Sequence, residues 1–267
     1  MSLPFGLYRN VSNNPRLGTC FKCDTPIPRG DPYQKAFGAH PQWLAPSSRW
    51  PFKLCKHCVL PPSEGVSREE MRALKKAIRV SASASQVSAV ASAVPSAVPL
   101  CFYGEKDSDG NRYRFRHPFS NFSEEDIKIA GVTERIGSFR CSESLIMLIK
   151  AINSGDGQVA FILTRIRVSG SRSKALGRMI EGLDKVKWKK KTQAVARYVT
   201  QVKYAQCPEF KKSVRAVRGR PVYECSKDAV WGTGTALGEP IGSGTNYLGA
   251  AITELTTAYA PSYAPRA

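Results

Sequence analysis

Apolar residues recur at helical spacing through most of the second half of the chain. After Ser142, which we expect to cap a helix, one face carries apolar residues at i, i+3, i+4 and i+7 spacing. These residues are Leu145, Ile146, Leu148, Ile149 and Ile152. Similar patterns predict helices over 159–167, 173–180, 186–206 and 246–259, and a short helix that starts at Pro208. With short strands predicted at 102–103 and 221–225, the chain is expected to form an α+β fold dominated by helices.

The first hundred residues show this helical pattern in one place. Residues 67–70 read Ser-Arg-Glu-Glu, a capping box that predicts a helix over 67–79. The uncharged Ser/Ala/Val tract at 80–99 is typical of a linker, or of an arm that orders only against a partner in a larger assembly. The predicted units are therefore an N-terminal module at 1–66, a helix with a linker or arm at 67–100, a globular domain at 101–259 and a flexible tail at 260–267.

Charge adds a second feature to this outline. The 267 residues carry a formal charge of +19, and residues 165–220 contain 17 Lys and Arg against three acidic residues. A field of this sign attracts phosphates, on nucleic acid or on a phosphorylated small molecule. The alternative is a solvated basic helix face with no ligand.

Composition excludes several classes of protein. A hydrophobic content of 42% excludes a wholly disordered chain. The sequence contains no apolar run of about 18 residues, so no membrane-spanning helix is predicted. The N-terminus lacks the basic and apolar regions of a secretory signal, so we expect an intracellular, cytoplasmic protein, or a virion component if the chain is virus-encoded.

Two Cys-x-x-Cys pairs lie in the N-terminal module. They are Cys20 with Cys23, and Cys55 with Cys58, separated by 31 residues. Two such pairs can complete a tetrahedral four-thiolate shell, so the sequence predicts a structural Zn²⁺ that stabilises a segment too short to fold on apolar burial alone. His40 and His57 are candidate substitute ligands, although His57 lies between two cysteines and is expected to point away from the metal. The alternative is a set of unrelated buried thiols.

Several separated segments of 101–259 carry residues that local structure does not require. They are Phe102-Tyr103, Ser120-Asn121-Phe122, Ser142-Glu143, Lys150, Leu176-Gly177-Arg178, Trp188, Glu224, Asp228-x-x-Trp231-Gly232-x-Gly234 and Asn246-x-Leu248-Gly249. Each alone has a structural explanation, such as an acid that stabilises the first turn of a helix. In this order, over about residues 101–258, they resemble the NADAR family, the NAD- and ADP-ribose-associated N-glycosidases.

The resemblance implies hydrolysis of an N-glycosidic bond in a phosphoribosyl-amine or an ADP-ribosylated substrate, including ADP-ribose on nucleic acid. A carboxylate would stabilise the oxocarbenium-like sugar while a second acid or base serves water or the leaving nitrogen, and Glu143 and Asp228 are predicted for this pair. Arg178 and Lys150 would neutralise phosphate, and Trp188 or Trp231 would stack on the base. The remaining predicted substrate-binding residues are Asn121, Phe122, Gly232 and Asn246.

The sequence also departs from the family pattern. A His-aromatic pair usually follows the glutamate, and a glutamine precedes the lysine, whereas this helix carries Ser144, Leu145 and Met147. Thr245 stands where a lysine is common. Loss of polar support around Glu143 favours an altered substrate or lost activity. The alternative function is a virus-associated structural or interaction protein, or a zinc-finger nucleic-acid binder, that keeps the fold.

Overall fold

The computed structural model describes residues 66–84 and 98–258, together with the backbone of three short strands nearer the N-terminus. Those strands are β1 (Leu7–Arg9), β2 (Pro32–Lys35) and β3 (Lys53–Cys55), and they pair antiparallel in the order β1-β2-β3. The backbone of Cys55 ends β3, whereas Cys20, Cys23 and Cys58 lie outside the described residues, as do the tract at 85–97 and the tail at 260–267.

A second small sheet belongs to the globular domain. Its strands are β4 (Leu100–Tyr103), β5 (Lys106–Asp107) and β6 (Val222–Glu224), in the order β5-β4-β6. β5 runs antiparallel to β4, and β6 runs parallel to it with Phe102 opposite Glu224. The strands predicted from 102–103 and 221–225 therefore meet as neighbours, and their pairing fixes where Glu224 emerges from the sheet.

Seven helices complete the described structure. They are α1 (Arg68–Ala84), α2 (Ser142–Ser154), α3 (Gly157–Arg165), α4 (Gly170–Met179), α5 (Lys185–Gln206), α6 (Pro208–Ala216) and α7 (Tyr247–Ala258). α2 packs against α1, α3, α4 and α5, and Leu145 and Leu148 on it are fully buried. Burying one such side chain contributes about 1.5–3 kcal/mol. The predicted helix-rich fold with a small sheet is confirmed.

The helix ends differ from the predicted ones for local reasons. α1 continues into the Ser/Ala/Val tract as far as Ala84, because Ile78 and Ala82 pack against the core and the Tyr198 hydroxyl lies 3.2 Å from Ser81 Oγ. α2 begins at Ser142 itself with Cys141 at the N-cap, so Ser142 is not the cap. α3 begins at Gly157, because the Asp156 side chain accepts the N–H groups of residues 158 and 159. Within the described ranges, no helix combines the length and hydrophobicity needed to span a bilayer.

Candidate active site

Glu143 lies in the first turn of α2 and is buried, with 6% of its surface exposed. Its backbone N–H donates to the Asn121 carbonyl at 2.9 Å, which joins α2 to the loop at 118–123. Burial, assisted by the charge of Asp228, raises the pKa of the Glu143 carboxyl to about 7, although the charges of Lys174, Lys150 and Arg178 oppose this shift. A glutamate that titrates near neutral pH is suited to acid–base chemistry.

Glu224, the last residue of β6, is a second carboxyl of the same kind. Burial raises its pKa to about 7, and the charges of Asp228 and Glu143 add to this effect while Lys174 opposes it. The structure therefore brings Glu143 and Glu224 into electrostatic contact across 81 residues of sequence. Sequence reasoning included Glu224 in the motif but gave it no role. The available signal was its place at the end of a predicted strand, four residues before Asp228.

Asp228 is exposed, and its charge raises the pKa of the buried Glu143 and of the half-buried Glu224. One carboxylate oxygen, Oδ1, accepts the backbone N–H groups of Val230 at 3.0 Å and Trp231 at 3.1 Å. These two hydrogen bonds give Asp228 a structural role in the turn. They also fix the position of its carboxylate. The charges of Glu143 and Asp228, the predicted pair, therefore interact, and Glu224 interacts with both.

Asn246 holds the strand that carries Glu224. Its Oδ1 accepts the Glu224 N–H at 3.0 Å, and its Nδ2 donates to the Val222 carbonyl at 3.0 Å. Asn246 adopts a positive φ of 47°, which asparagine tolerates better than most residues. Both ends of the side-chain amide therefore support the β6 backbone.

Gly232 is required by close packing beneath the same carboxyls. A Cβ at this position would collide with Ser226 Oγ and with the Glu224 carbonyl oxygen. Its N–H donates to the Asp228 carbonyl at 2.9 Å, and the next N–H, of Thr233, donates to the Glu224 carbonyl at 2.9 Å. Gly232 thus lets the Asp228 turn lie directly against the end of β6.

Three cations surround the carboxyls. Lys150 Nζ donates to the Gly177 carbonyl at 2.7 Å, which ties α2 to α4, and burial lowers the pKa of this lysine while Glu143 raises it. Lys174, which the sequence analysis did not single out, lies over the Phe122 ring with Nζ 5.5 Å from the centroid. Arg178 is exposed in the last turn of α4, within electrostatic range of Glu143.

A buried lysine anchors the loop that supplies Asn121 and Phe122. Lys203 of α5 is 2% exposed, and its Nζ donates to the carbonyls of Pro118 at 2.5 Å and Ser120 at 2.8 Å. The same ammonium lies 3.3 Å from the Glu125 carboxylate. A buried charge is stable only when it has partners, so Lys203 holds this loop in place. The loop in turn presents the Asn121 carbonyl that accepts the Glu143 N–H.

The two predicted stacking residues have different surroundings. Trp231 directly follows the Asp228 turn and is half-buried against the hydrophobic core. Trp188 packs against the core from the first turn of α5, and among the described residues no hydrogen bond joins it to the carboxyl cluster.

The basic segment at 165–220 does not form one unpaired surface. Arg165 pairs with Glu70, Arg167 with Asp126, Arg197 with Glu254 and Arg220 with Asp109, while Lys203 is buried. The exposed lysines of this segment are concentrated in the first two turns of α5, at 185, 187 and 189–191.

Among residues 66–84 and 98–258, no group of three or more His, Cys, Asp and Glu side chains is arranged to hold a metal ion.

Two of the comparisons with known proteins gave a match. A family model described as "NADAR domain" matches residues 101–258. The solved structures include an NMR structure of the Escherichia coli protein YbiA, 25% identical, with a TM-score of 0.45 over 61% of this chain and 85% of that one. No curated protein matches the sequence.

Proposed function

The chain belongs to the NADAR family, known for N-glycosidase-like activity, and on this premise we propose that Glu143, Glu224 and Asp228 hydrolyse an N-glycosidic bond. The single observation that carries the proposal is the interaction between two glutamates, Glu143 buried and Glu224 half-buried, whose pKa values are both raised to about 7. Two interacting carboxyls of this kind hold one proton between them at neutral pH. The site then contains a general acid and a general base together, as glycosidic cleavage requires.

The surrounding charges assign the two roles. Three cations, Lys174, Lys150 and Arg178, favour the ionised form of Glu143. Asp228 opposes the ionisation of both glutamates, but Lys174 is the only cation that favours ionised Glu224, and the charge of Glu143 opposes it as well. We therefore assign Glu143 as the base and Glu224 as the acid.

The reaction balances with water as the only co-substrate. The C1–N bond breaks with its electron pair moving to the leaving nitrogen, and Glu224 supplies the proton for that nitrogen. Water adds to C1 and gives a proton to Glu143. Proton exchange with solvent then returns the pair to its starting state, and the exposed Asp228 carboxylate stabilises the positive charge that develops on the sugar.

The cations on α4 and α2 support a phosphorylated ribose as substrate. Arg178 is exposed and forms no ion pair within the described residues, so it can make bidentate contact with a phosphate. Lys150 donates one of its three N–H groups to the Gly177 carbonyl, and the other two have no hydrogen-bond partner among the described residues. The half-buried Trp231 supplies a ring beside Asp228 for the base, and the substrate classes proposed are a phosphoribosyl-amine and an ADP-ribosyl group.

The proposed activity is tested with two isosteric variants and a matched control. The purified chain is incubated with phosphoribosyl-amine and ADP-ribosylated substrates, and released base or amine is measured by mass spectrometry. Glu143→Gln and Glu224→Gln should each lower kcat at least a hundredfold, because each removes one proton-transfer partner. Glu209→Gln, at an exposed position on α6, should not change the rate. Full activity in both site variants would refute the proposal.

A second candidate function is ligand binding without hydrolysis, as an interaction module. Ser144, beside Glu143, is buried and bonds to Ser173 Oγ at 2.7 Å rather than to the glutamate. Since the family pattern places a larger polar residue here, reduced support of the carboxyl favours a binding role. Saturable binding of ADP-ribose with no turnover by the unaltered chain would establish this candidate over the first.

A further inference from the structure

Two exposed aromatic residues lie on adjoining segments at the small sheet. Among the large hydrophobic residues exposed in the described ranges, Tyr103 at 54% and Phe115 at 71% are the only aromatic ones. Tyr103 ends β4, and Phe115 lies in the segment 112–116 that folds back on the β4–β5 hairpin. The N–H of His117 donates to the Gly104 carbonyl at 2.7 Å, which places the end of this segment beside Tyr103.

Arginines alternate with aromatic residues along the same segment. Arg112, Arg114 and Arg116 are all exposed, and the Arg114 guanidinium lies 5.1 Å from the centroid of the Phe115 ring. A Cβ at Gly104 would lie 3.6 Å from Arg116 Nη1, so the third guanidinium covers the hairpin itself. We call residues 103–106 with 112–116 the arginine–aromatic surface.

The acidic residues nearby are already engaged. Asp107 is buried and accepts N–H groups from Asp109 and Asn111, and Asp109 forms a two-bond ion pair with Arg220. Glu105 lies 3.6 Å from Arg112. Arg114 and Arg116 have no carboxylate within ion-pair distance in the part of the chain that the structure describes. Two guanidinium groups are therefore available for phosphate.

The surface is held in shape before any ligand binds. The Tyr113 N–H donates to the Glu105 carbonyl at 2.8 Å, and the Tyr113 ring packs on the buried His117 with centroids 4.5 Å apart. A preformed surface loses little conformational entropy on binding.

We propose that the arginine–aromatic surface binds single-stranded nucleic acid. Exposed rings stack on unpaired bases without regard to sequence, and arginine adds both phosphate contacts and stacking of its own. A lipid surface would favour lysine and aliphatic residues inserted together, and an acidic protein would not require exposed rings on a rigid surface. The proposal concerns binding by this surface and does not depend on hydrolysis.

The experiment measures anisotropy of a fluorescein-labelled dT20 oligonucleotide with the full chain over a range of salt concentrations. Phe115→Ala and Phe115→Leu should each weaken binding about tenfold, while Phe115→Trp should preserve it, because stacking and not hydrophobicity makes the contact. The double variant Arg114→Gln/Arg116→Gln should reduce the slope of log K against log salt by about 1.4, at about 0.7 per phosphate contact. Thermal unfolding of each variant controls for folding. The substituted residues are exposed, so little change in Tm is expected.

A charge-matched control lies on α5. Lys189→Gln/Lys190→Gln removes the same charge from another exposed site and should leave the affinity within about twofold at moderate salt. Three results would overturn the proposal: absence of dT20 binding, equal binding by Phe115→Leu, or loss of binding only in the α5 variant. Phosphatidylserine vesicles serve as a further arm, and Phe115-dependent binding to vesicles but not to dT20 would assign the surface to a membrane instead. Because Glu143→Gln is expected to bind dT20 normally, failure here is distinct from failure of the proposed hydrolysis.

Discussion

The side-chain amide of Asn246 is clamped on the backbone of Glu224, whose N–H donates to Asn246 Oδ1 at 3.0 Å. The other end of the amide holds the Val222 carbonyl two residues earlier. A residue at the start of α7 thus sets the position at which β6 delivers its carboxyl to the site. The precision of the site depends on this contact between two elements that are distant in the chain.

Replacing Asn246 with glycine tests the clamp. Glycine accepts the positive φ of 47°, so the substitution removes the amide without straining the backbone. We expect a loss of about 1–3 kcal/mol of unfolding free energy, since buried backbone groups of β6 lose their partners, and a fall in the proposed activity. Thermal unfolding and the hydrolysis assay measure the two effects. An unchanged Tm would show that the clamp does not stabilise the strand.

Glu143→Gln should stabilise the fold in a pH-dependent way. The folded pKa of about 7 lies above the unfolded value of 4.5, so the wild-type carboxyl costs stability as pH rises between these values. The variant should gain up to about 3 kcal/mol over wild type near pH 8 and nothing below about pH 4.5. Urea titrations at several pH values measure the difference. A gain that is the same at all pH values would contradict a raised pKa.

His117 should make the protein sensitive to acid. It is 1% exposed and packs among Phe102, Tyr113 and Phe119, and burial lowers its pKa from 6.5 to about 4, against the effect of Asp107. A folded pKa below the unfolded one means that stability present above pH 6.5 is lost as pH falls towards 4. This loss amounts to about 3 kcal/mol and should be absent in His117→Gln, which does not titrate. If the unfolding free energies of wild type and His117→Gln change equally with pH, the lowered pKa of His117 is wrong.

Lys203 and Glu125 should be coupled in stability. Lys203→Met leaves the Glu125 carboxylate buried without its cation, and we expect a loss of about 3–5 kcal/mol. Lys203→Met/Glu125→Leu removes both charges and should recover much of that loss, although the carbonyls of Pro118 and Ser120 remain unpaired. The exposed Lys190→Met is the control. Additive effects in a double-mutant cycle would show that the pair does not interact.

The zinc site remains a prediction from spacing and is tested by elemental analysis. One Zn²⁺ per chain is expected in the purified protein, and the double variant Cys20→Ser/Cys58→Ser should lose it. Cys141→Ser, at a buried thiol within the globular domain, should retain the metal. Zinc-free protein with unchanged stability would reject the site.

The sequence predicted those parts of the fold that depend on local patterning. The helical face of α2 and the strands at 102–103 and 221–225 were readable because burial repeats with the period of the element. The helix end at Ala84 was not, since it depends on Tyr198 and on the packing of Ile78 and Ala82 against the core. A run of Ser and Ala is equally compatible with helix and linker until such contacts exist.

The motif selected several residues whose charges interact in the structure, but it gave no role to Glu224. Glu143 and Asp228 could be selected from the motif, and the structure does bring them together. That Glu224 shares their environment depends on the parallel pairing of β4 with β6, a contact between residues more than 100 positions apart. The contribution of Lys174 likewise arises from the packing of α4 on α2, which no local pattern records.

The most direct test of the central claim is titration of the glutamate side-chain carbons by ¹³C NMR. Glu143→Gln and Glu224→Gln assign the two signals. The account predicts that two glutamates titrate near pH 7, and that removing one lowers the pKa of the other. If both instead titrate close to 4.3, the value of a solvated glutamate, the site holds no shared proton at neutral pH and the acid–base account is wrong.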